Sequence, residues 1–193
     1  MLKLTVQLFL FLSTLFCAQA QATVLLQLDP VGGAISGQPG ETIGWGFTLS
    51  NDTDYLVVTS ASFNAPSSMG SFTDYISQPS NFFVVGPPPE SSTVSQVFDQ
   101  TLMTGIGSFT IDPTAMIGSV VNSSIVLTYD LFSVSPNDPS FDPDVDTLSN
   151  GNLVTATASV SVVPGVAVPE PSTIFLIVLG FLGMIVGKRY KQA

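Results

Sequence analysis

The nine residues Thr42-Ile43-Gly44-Trp45-Gly46-Phe47-Thr48-Leu49-Ser50 alternate large apolar side chains with small or hydroxylated ones. A period of two places Ile43, Trp45, Phe47 and Leu49 on one face of an extended chain, which predicts a strand with one buried face and Trp45 pointing inward. The same alternation returns at Ile125, Leu127, Tyr129 and Leu131. It returns again at Val154, Ala156, Ala158, Val160 and Val162 against Thr155, Thr157, Ser159 and Ser161. Weaker candidates are Thr23–Leu28, Tyr55–Phe63, Ser71–Ile76, Asn81–Val85, Thr93–Phe98 and Gly107–Ile111, all short and rich in β-branched or aromatic residues. No segment between these strands carries a helical period.

The punctuation agrees with that reading. Gly37-Gln38-Pro39-Gly40, Asn51-Asp52-Thr53-Asp54, Gly86-Pro87-Pro88-Pro89, Asp112-Pro113 and Asn150-Gly151 combine residues that fix φ with residues that tolerate positive φ. Short strands broken in this way predict an all-β fold, an antiparallel β-sandwich of immunoglobulin-like kind with edges guarded by proline and acidic residues. A closed β-barrel is the alternative. The passage Pro39–Asn51, a proline-glycine entry, an alternating strand and an asparagine exit, is similar to the strand-to-turn passages of many bacterial surface sandwich domains; that likeness speaks to fold alone.

Both ends of the chain read as handling signals. Residues 1–20 have the build of a secretory signal peptide: Lys3, the apolar stretch Leu4–Phe16, and a small-residue cleavage site at Ala18-Gln19-Ala20, with a second register ending at Ala22. Cleavage there removes Cys17, the one cysteine, so the exported part depends on burial and not on disulfides. Signal peptidase and the export machinery are the partners this implies. Residues 21–163 then form one ectodomain, large enough to bury a core, and 164–168 a short stalk.

The C-terminal segment has three parts. Pro169-Glu170-Pro171 sets a carboxylate between two prolines, which denies it a helix and presents it as an extended, readable element. An uncharged span over 173–187 follows, within which Ile174–Val186 is the continuous apolar run. From Ser172 to Gly187 it would reach roughly 24 Å as a helix, short of a ~30 Å hydrocarbon core, so it crosses only with local thinning or snorkelling. Lys188, Arg189 and Lys191 in the end segment 188–193 supply a basic stop, which by the positive-inside rule leaves Glu170 outside the membrane. This order of parts resembles the PEP-CTERM sorting domain of Gram-negative bacteria, over residues 169–193. The resemblance implies recognition of Pro169, Glu170 and Pro171 by an exosortase, an intramembrane cysteine transpeptidase, in cells that secrete an exopolysaccharide matrix. It also implies an exported chain held in the inner membrane before processing and placed at the cell surface or in the matrix afterwards.

The charge pattern narrows the body further. The chain has fourteen Asp and Glu against four Lys and Arg and no His, and all four cations lie at Lys3 or beyond Gly187. A body without a cation cannot neutralise phosphates, so nucleic acid is excluded as a partner. Anionic lipid headgroups repel it as well. Its acidic surface serves solubility.

Composition also limits the chemistry. Without His, Lys or Cys in the body, Ser, Thr and Cys nucleophile systems lose their usual base, and His/Cys zinc sites are excluded. A carboxylate pair such as a glycosidase uses is available in principle, but with no cation to bind a transition state the expectation is that the protein is not an enzyme. Gly105-Ile106-Gly107 lacks the third glycine and the βαβ context of a phosphate loop.

Asp142, Asp144 and Asp146 alternate like the first ligands of a calcium loop, and Asp138 lies nearby. Thr147 and Leu153 stand where such a loop needs its glycine and bidentate glutamate. The alternative is an ordinary acidic turn between strands ending near Val134 and starting near Leu153, so no cofactor is expected beyond this weak Ca²⁺ candidate. Tyr55, Tyr75, Phe82 and Phe83 are candidates for a sugar platform, against a simple role in the core. Asn51-Asp52-Thr53 and Asn122-Ser123-Ser124 match the N-glycosylation pattern.

Two functions fit: a non-catalytic surface or extracellular-matrix protein sorted through its tail, or a carbohydrate-binding module, calcium-assisted or not, exported by the same route.

Overall fold

The computed structural model describes residues 24–165. Within them ten strands follow one another: β1 (Leu25–Asp29), β2 (Ala34–Gly37), β3 (Thr42–Ser50), β4 (Tyr55–Phe63), β5 (Gly70–Asp74), β6 (Val84–Val85), β7 (Thr93–Gln96), β8 (Gly107–Ile111), β9 (Val120–Phe132) and β10 (Thr147–Val162). One helical turn, α1 (Pro143–Asp146), and a 3₁₀ turn at Pro79–Asn81 complete them. Among the described residues no helix is long and apolar enough to cross a membrane.

The strands form two five-stranded sheets. The first has the order β1-β3-β8-β5, with β7 also on β3, and the second the order β2-β10-β9-β4-β6. Within the first sheet β3 serves two partners in succession: Thr42–Trp45 pair with β8, while Phe47–Ser50 pair with β7, and also with β1 on the other side.

The alternation in β3 does what its period predicts. Trp45, Phe47 and Leu49 are fully buried and meet Leu56, Ile125, Leu127, Val160 and Val162 from the second sheet in one core. Each such side chain contributes about 1.5–3 kcal/mol by leaving water. Aromatic rings fill the centre: Trp45 lies 5.0 Å from Phe63 and 6.3 Å from Phe72, and Phe63 meets Phe109 edge-on at 5.7 Å. The small residues on the other face of β3 also have a use. A side chain at Gly44 would strike Phe98, whose ring covers that face and stacks on Tyr75 at 6.3 Å.

Four features depart from the sequence expectations. Strand β2, in which Ile35 is the one large side chain among Ala34, Ser36 and Gly37, pairs in parallel with β10, so the sandwich is not wholly antiparallel. It exists because the turn at residues 30–33 carries the chain from β1, an edge of one sheet, to an edge of the other. Strands β9 and β10 are longer than their alternating cores, and the paired ladder reaches back to Thr147. Asn150-Gly151 therefore lies inside β10 as an irregularity in register, where the Asp130 carboxylate accepts the Gly151 N–H at 2.7 Å. A helical turn, α1, stands in the acidic loop, with the Asp142 side chain as its N-cap and Pro143 at its start.

The domain has two distinct ends. Val163 N–H donates to Gly37 O, Gly118 N–H to Val162 O and Gly40 N–H to Ile111 O, which gathers the ends of β2, β8 and β10 with the starts of β3 and β9. From that exit end β9 runs thirteen residues to Phe132, where it meets Tyr55 of β4 and Thr147 of β10. At about 3.3 Å per residue the opposite end is roughly 40 Å away.

Candidate functional site

The predicted sorting elements lie outside the described residues: Pro169, Glu170 and Pro171, the span 173–187, and Lys188, Arg189 and Lys191. So does the leader with Ala18 and Ala20. What the structure does place is the point from which the tail departs. Strand β10 is gripped by β9 along one side and by β2 at its last four residues. Val162 closes a reciprocal pair of bonds with the turn before β9, its N–H donating to Ser119 O at 2.9 Å and its carbonyl accepting from Gly118 N–H at 2.8 Å. The last described residue, Gly165, lies against the Gln38 side chain. Around this exit stand Met116, Ile117, Val120 and Val163, all exposed and none singled out by the sequence pattern. The signal that could have found them was the apolar pair Met116-Ile117 in a turn between Pro113 and Gly118, where polar residues are usual.

The predicted calcium candidates Asp142, Asp144 and Asp146 lie at the opposite end, and the carboxylates of Asp142 and Asp146 are turned to local backbone use. Asp142 Oδ1 accepts the Asp144 N–H at 3.0 Å, and Asp146 Oδ2 accepts the Asp142 N–H at 2.8 Å. Asp138 Oδ1 accepts both the N–H and the hydroxyl of Ser140. These bonds hold the Asp138 carboxyl below the usual aspartate range. Among the described residues no three such groups converge on a point that could hold a metal ion.

Beside them is a cluster the sequence did not reveal. Glu90 Oε1 accepts the Ser135 hydroxyl at 2.6 Å and the Asn137 side-chain amide at 3.0 Å, joining two loops 45 residues apart. The Ser135 bond first, and then the Asn137 bond, hold the Glu90 carboxyl below its ordinary value. Nothing in the sequence spacing of Glu90 and Ser135 announces the pair.

The four aromatic candidates do not assemble into a platform. Tyr75 is buried under Phe98, and Phe83 packs on Phe47 at 5.7 Å. Tyr55 donates its hydroxyl to Pro88 O at 3.3 Å. Phe82 alone is more than half exposed. Asn51 is 2% exposed, with its amide donating to the Asp54 and Val85 carbonyls, so the first glycosylation pattern is closed to a modifying enzyme. A hollow of about 380 Å³ opens between the β1 edge and β10, lined by Leu26, Leu28, Val31, Gly32, Ala156 and Thr157, among others. Its lining holds no charged side chain to orient a ligand.

These features define an all-β domain that delivers a C-terminal tail from one end. Residues 167–189 match the family model of the PEP-CTERM protein-sorting motif. The chain thus carries that motif, and the matched residues include Pro169-Glu170-Pro171, the apolar run, Lys188 and Arg189. No curated protein matches the chain. Among solved structures, similar folds include WR4, a C. elegans MSP family member, with 10% identity over 72% of this chain and 99% of that one at a TM-score of 0.34. Another is a chain of the complex between a CaDoc0917 variant and CaCohA2, with 21% identity over 72% and 99% at 0.33. A third is the sixth cohesin from Acetivibrio cellulolyticus scaffoldin B in complex with a Cel5 dockerin mutant, with 12% identity over 72% and 98% at 0.26. Likenesses this loose assign neither a ligand nor a partner.

Proposed function

We propose that the protein is a non-catalytic exported surface or extracellular-matrix protein, sorted through its tail by an exosortase-like membrane transpeptidase. In this reading the leader directs export, the span at 173–187 holds the chain in the inner membrane, and Pro169-Glu170-Pro171 is the substrate element of the processing enzyme. The two-sheet body, of immunoglobulin-like kind, is the cargo. The observation that carries the proposal is the match of residues 167–189 to the PEP-CTERM protein-sorting motif. The body supports it by lacking any cation and by turning the carboxylates of Asp138, Asp142 and Asp146 to loop geometry.

Mass spectrometry of the mature protein recovered from the cell surface tests the proposal. The expected chain begins after Ala20 or Ala22 and ends upstream of the apolar run. Recovery of a surface form that still ends at Ala193 would overturn the processing step. A Glu170→Ala chain should accumulate unprocessed in the inner membrane.

A further inference from the structure

Resting on that reading, we infer that the apolar tip formed by Met116, Ile117 and Val120 is a lipid-docking surface, seated on the membrane that holds the tail.

Three observations place it there. Met116, Ile117 and Val120 are 76%, 57% and 54% exposed, and they surround the exit of the chain beside Val163. Eight residues, 166–173, separate the last described residue from the apolar run at Ile174. Fully extended, that connection reaches only about 30 Å. While the tail is inserted, the tip is therefore held within about 30 Å of a bilayer, and even weak apolar contact becomes an intramolecular event at high effective concentration.

The distribution of charge sets the orientation. Asp52, Asp54, Glu90, Asp130, Asp138, Asp142, Asp144 and Asp146 all cluster toward the opposite end of the sheets, near Tyr55, Phe132 and Thr147. Asp29, Asp74 and Asp99 stand between the ends, opposite Gly46, Gly107 and Thr104, and at the exit end the acids are Glu41, whose carboxylate accepts the Gln38 N–H, and Asp112, whose carboxylate accepts from Thr114. A body with no cation gains nothing from headgroup phosphates, so insertion of apolar side chains is the attraction this end offers a bilayer. Docking holds the acidic end outward and the start of the tail at the lipid surface, where an intramembrane enzyme would meet it.

The test uses the tail-bearing protein, purified from membranes of cells lacking the processing enzyme and reconstituted in phosphatidylcholine vesicles. Cys17→Ser ensures that an introduced thiol is unique. An environment-sensitive fluorophore is placed at Ile117→Cys or at Val145→Cys, a position 76% exposed and equally apolar but at the acidic end. Lipids spin-labelled near the headgroup should quench position 117 and leave position 145 unquenched. Equal quenching at the two positions would overturn the inference. A second measurement separates docking from tethering: with the fluorophore at Val120→Cys, the pair Met116→Asp and Ile117→Asp should abolish quenching. Quenching that persists in that variant would mean that the tether alone holds the tip near lipid, and would also overturn the inference. Resistance of the protein to alkaline extraction reports on the tail separately. Extraction would overturn the membrane-held reading and the docking together, whereas retention without quenching at 117 would overturn the docking alone.

Discussion

The indole N–H of Trp45 donates to the carbonyl of Gly33 at 2.8 Å, so the central ring of the first sheet is fastened to the turn that leads into the second. The same carbonyl accepts the Ser159 N–H of β10 at 3.0 Å. Gly33 has φ +67°, and a side chain there would collide with the Thr157 carbonyl and Leu28. One backbone group thus ties β3, the β1–β2 turn and β10 together, and it is the hinge on which the unforeseen strand β2 turns.

Trp45→Phe keeps most of the ring but removes the donor. It should lower stability by about 1–2 kcal/mol. Gly33→Ala should cost about 2 kcal/mol or more through backbone strain and the close approach of β10. Urea denaturation followed by circular dichroism measures both, and a Gly33→Ala protein as stable as the parent would contradict the account of this turn.

Asn51 fills a buried site in which its amide donates twice while its Oδ1 has no partner among the described residues. Asn51→Asp replaces the donor by a carboxylate facing the Asp54 and Val85 carbonyls, and is expected to cost about 3 kcal/mol or more at neutral pH. Burial raises the carboxyl pKa in the folded state, so the penalty shrinks as pH falls through that value. A denaturation series from pH 7 to pH 4 should show the variant closing on the parent.

Glu90 runs the other way. Its folded-state pKa is depressed by Ser135 and Asn137, so the stability it contributes is fully present above the unfolded value, near 4.5, and is lost as pH falls through the lower folded value. Thermal melts of the parent should fall through this window, and Ser135→Ala should flatten the fall while leaving the profile above pH 6 parallel. An unchanged acid profile in Ser135→Ala would show that the loop-to-loop bond is not formed in solution.

Asp142→Ala removes the N-cap of α1 and should cost about 1 kcal/mol. Because Asp142 and Asp146 already accept backbone N–H groups, millimolar calcium is expected to shift the melting temperature no more than magnesium at equal ionic strength. A calcium-specific rise abolished by Asp142→Ala would restore the metal reading.

Where strands carry large side chains at a period of two, the fold was legible from residues alone: Trp45, Phe47 and Leu49, Ile125 and Leu127, and Val160 and Val162 are all buried as alternation requires. Strand β2 was not, because Ala34, Ser36 and Gly37 are too small to make a pattern and the strand exists through its parallel pairing with β10. The Asn150-Gly151 pair has the local chemistry of a turn, yet the bond from Gly151 to Asp130 holds it inside the ladder. The sorting motif was readable for the opposite reason: its information is local and needs no folded partner. The apolar tip at Met116 and Ile117 and the Glu90–Ser135 bond depend on which loops share an end of the sandwich, and no local signal encodes that.

The long strand that ends at the exit has a mechanical meaning. Any pull transmitted by the tail, from a moving membrane or from an enzyme drawing the segment inward, is directed along β10. The ladder bonds to β9 and β2 lie across that direction, so they bear the load together in shear and do not peel away one after another. Single-molecule pulling between residues 24 and 165 should therefore meet a high, abrupt yield force, lowered by a proline at Val160. The domain is moored by the very strand that hands over its tail.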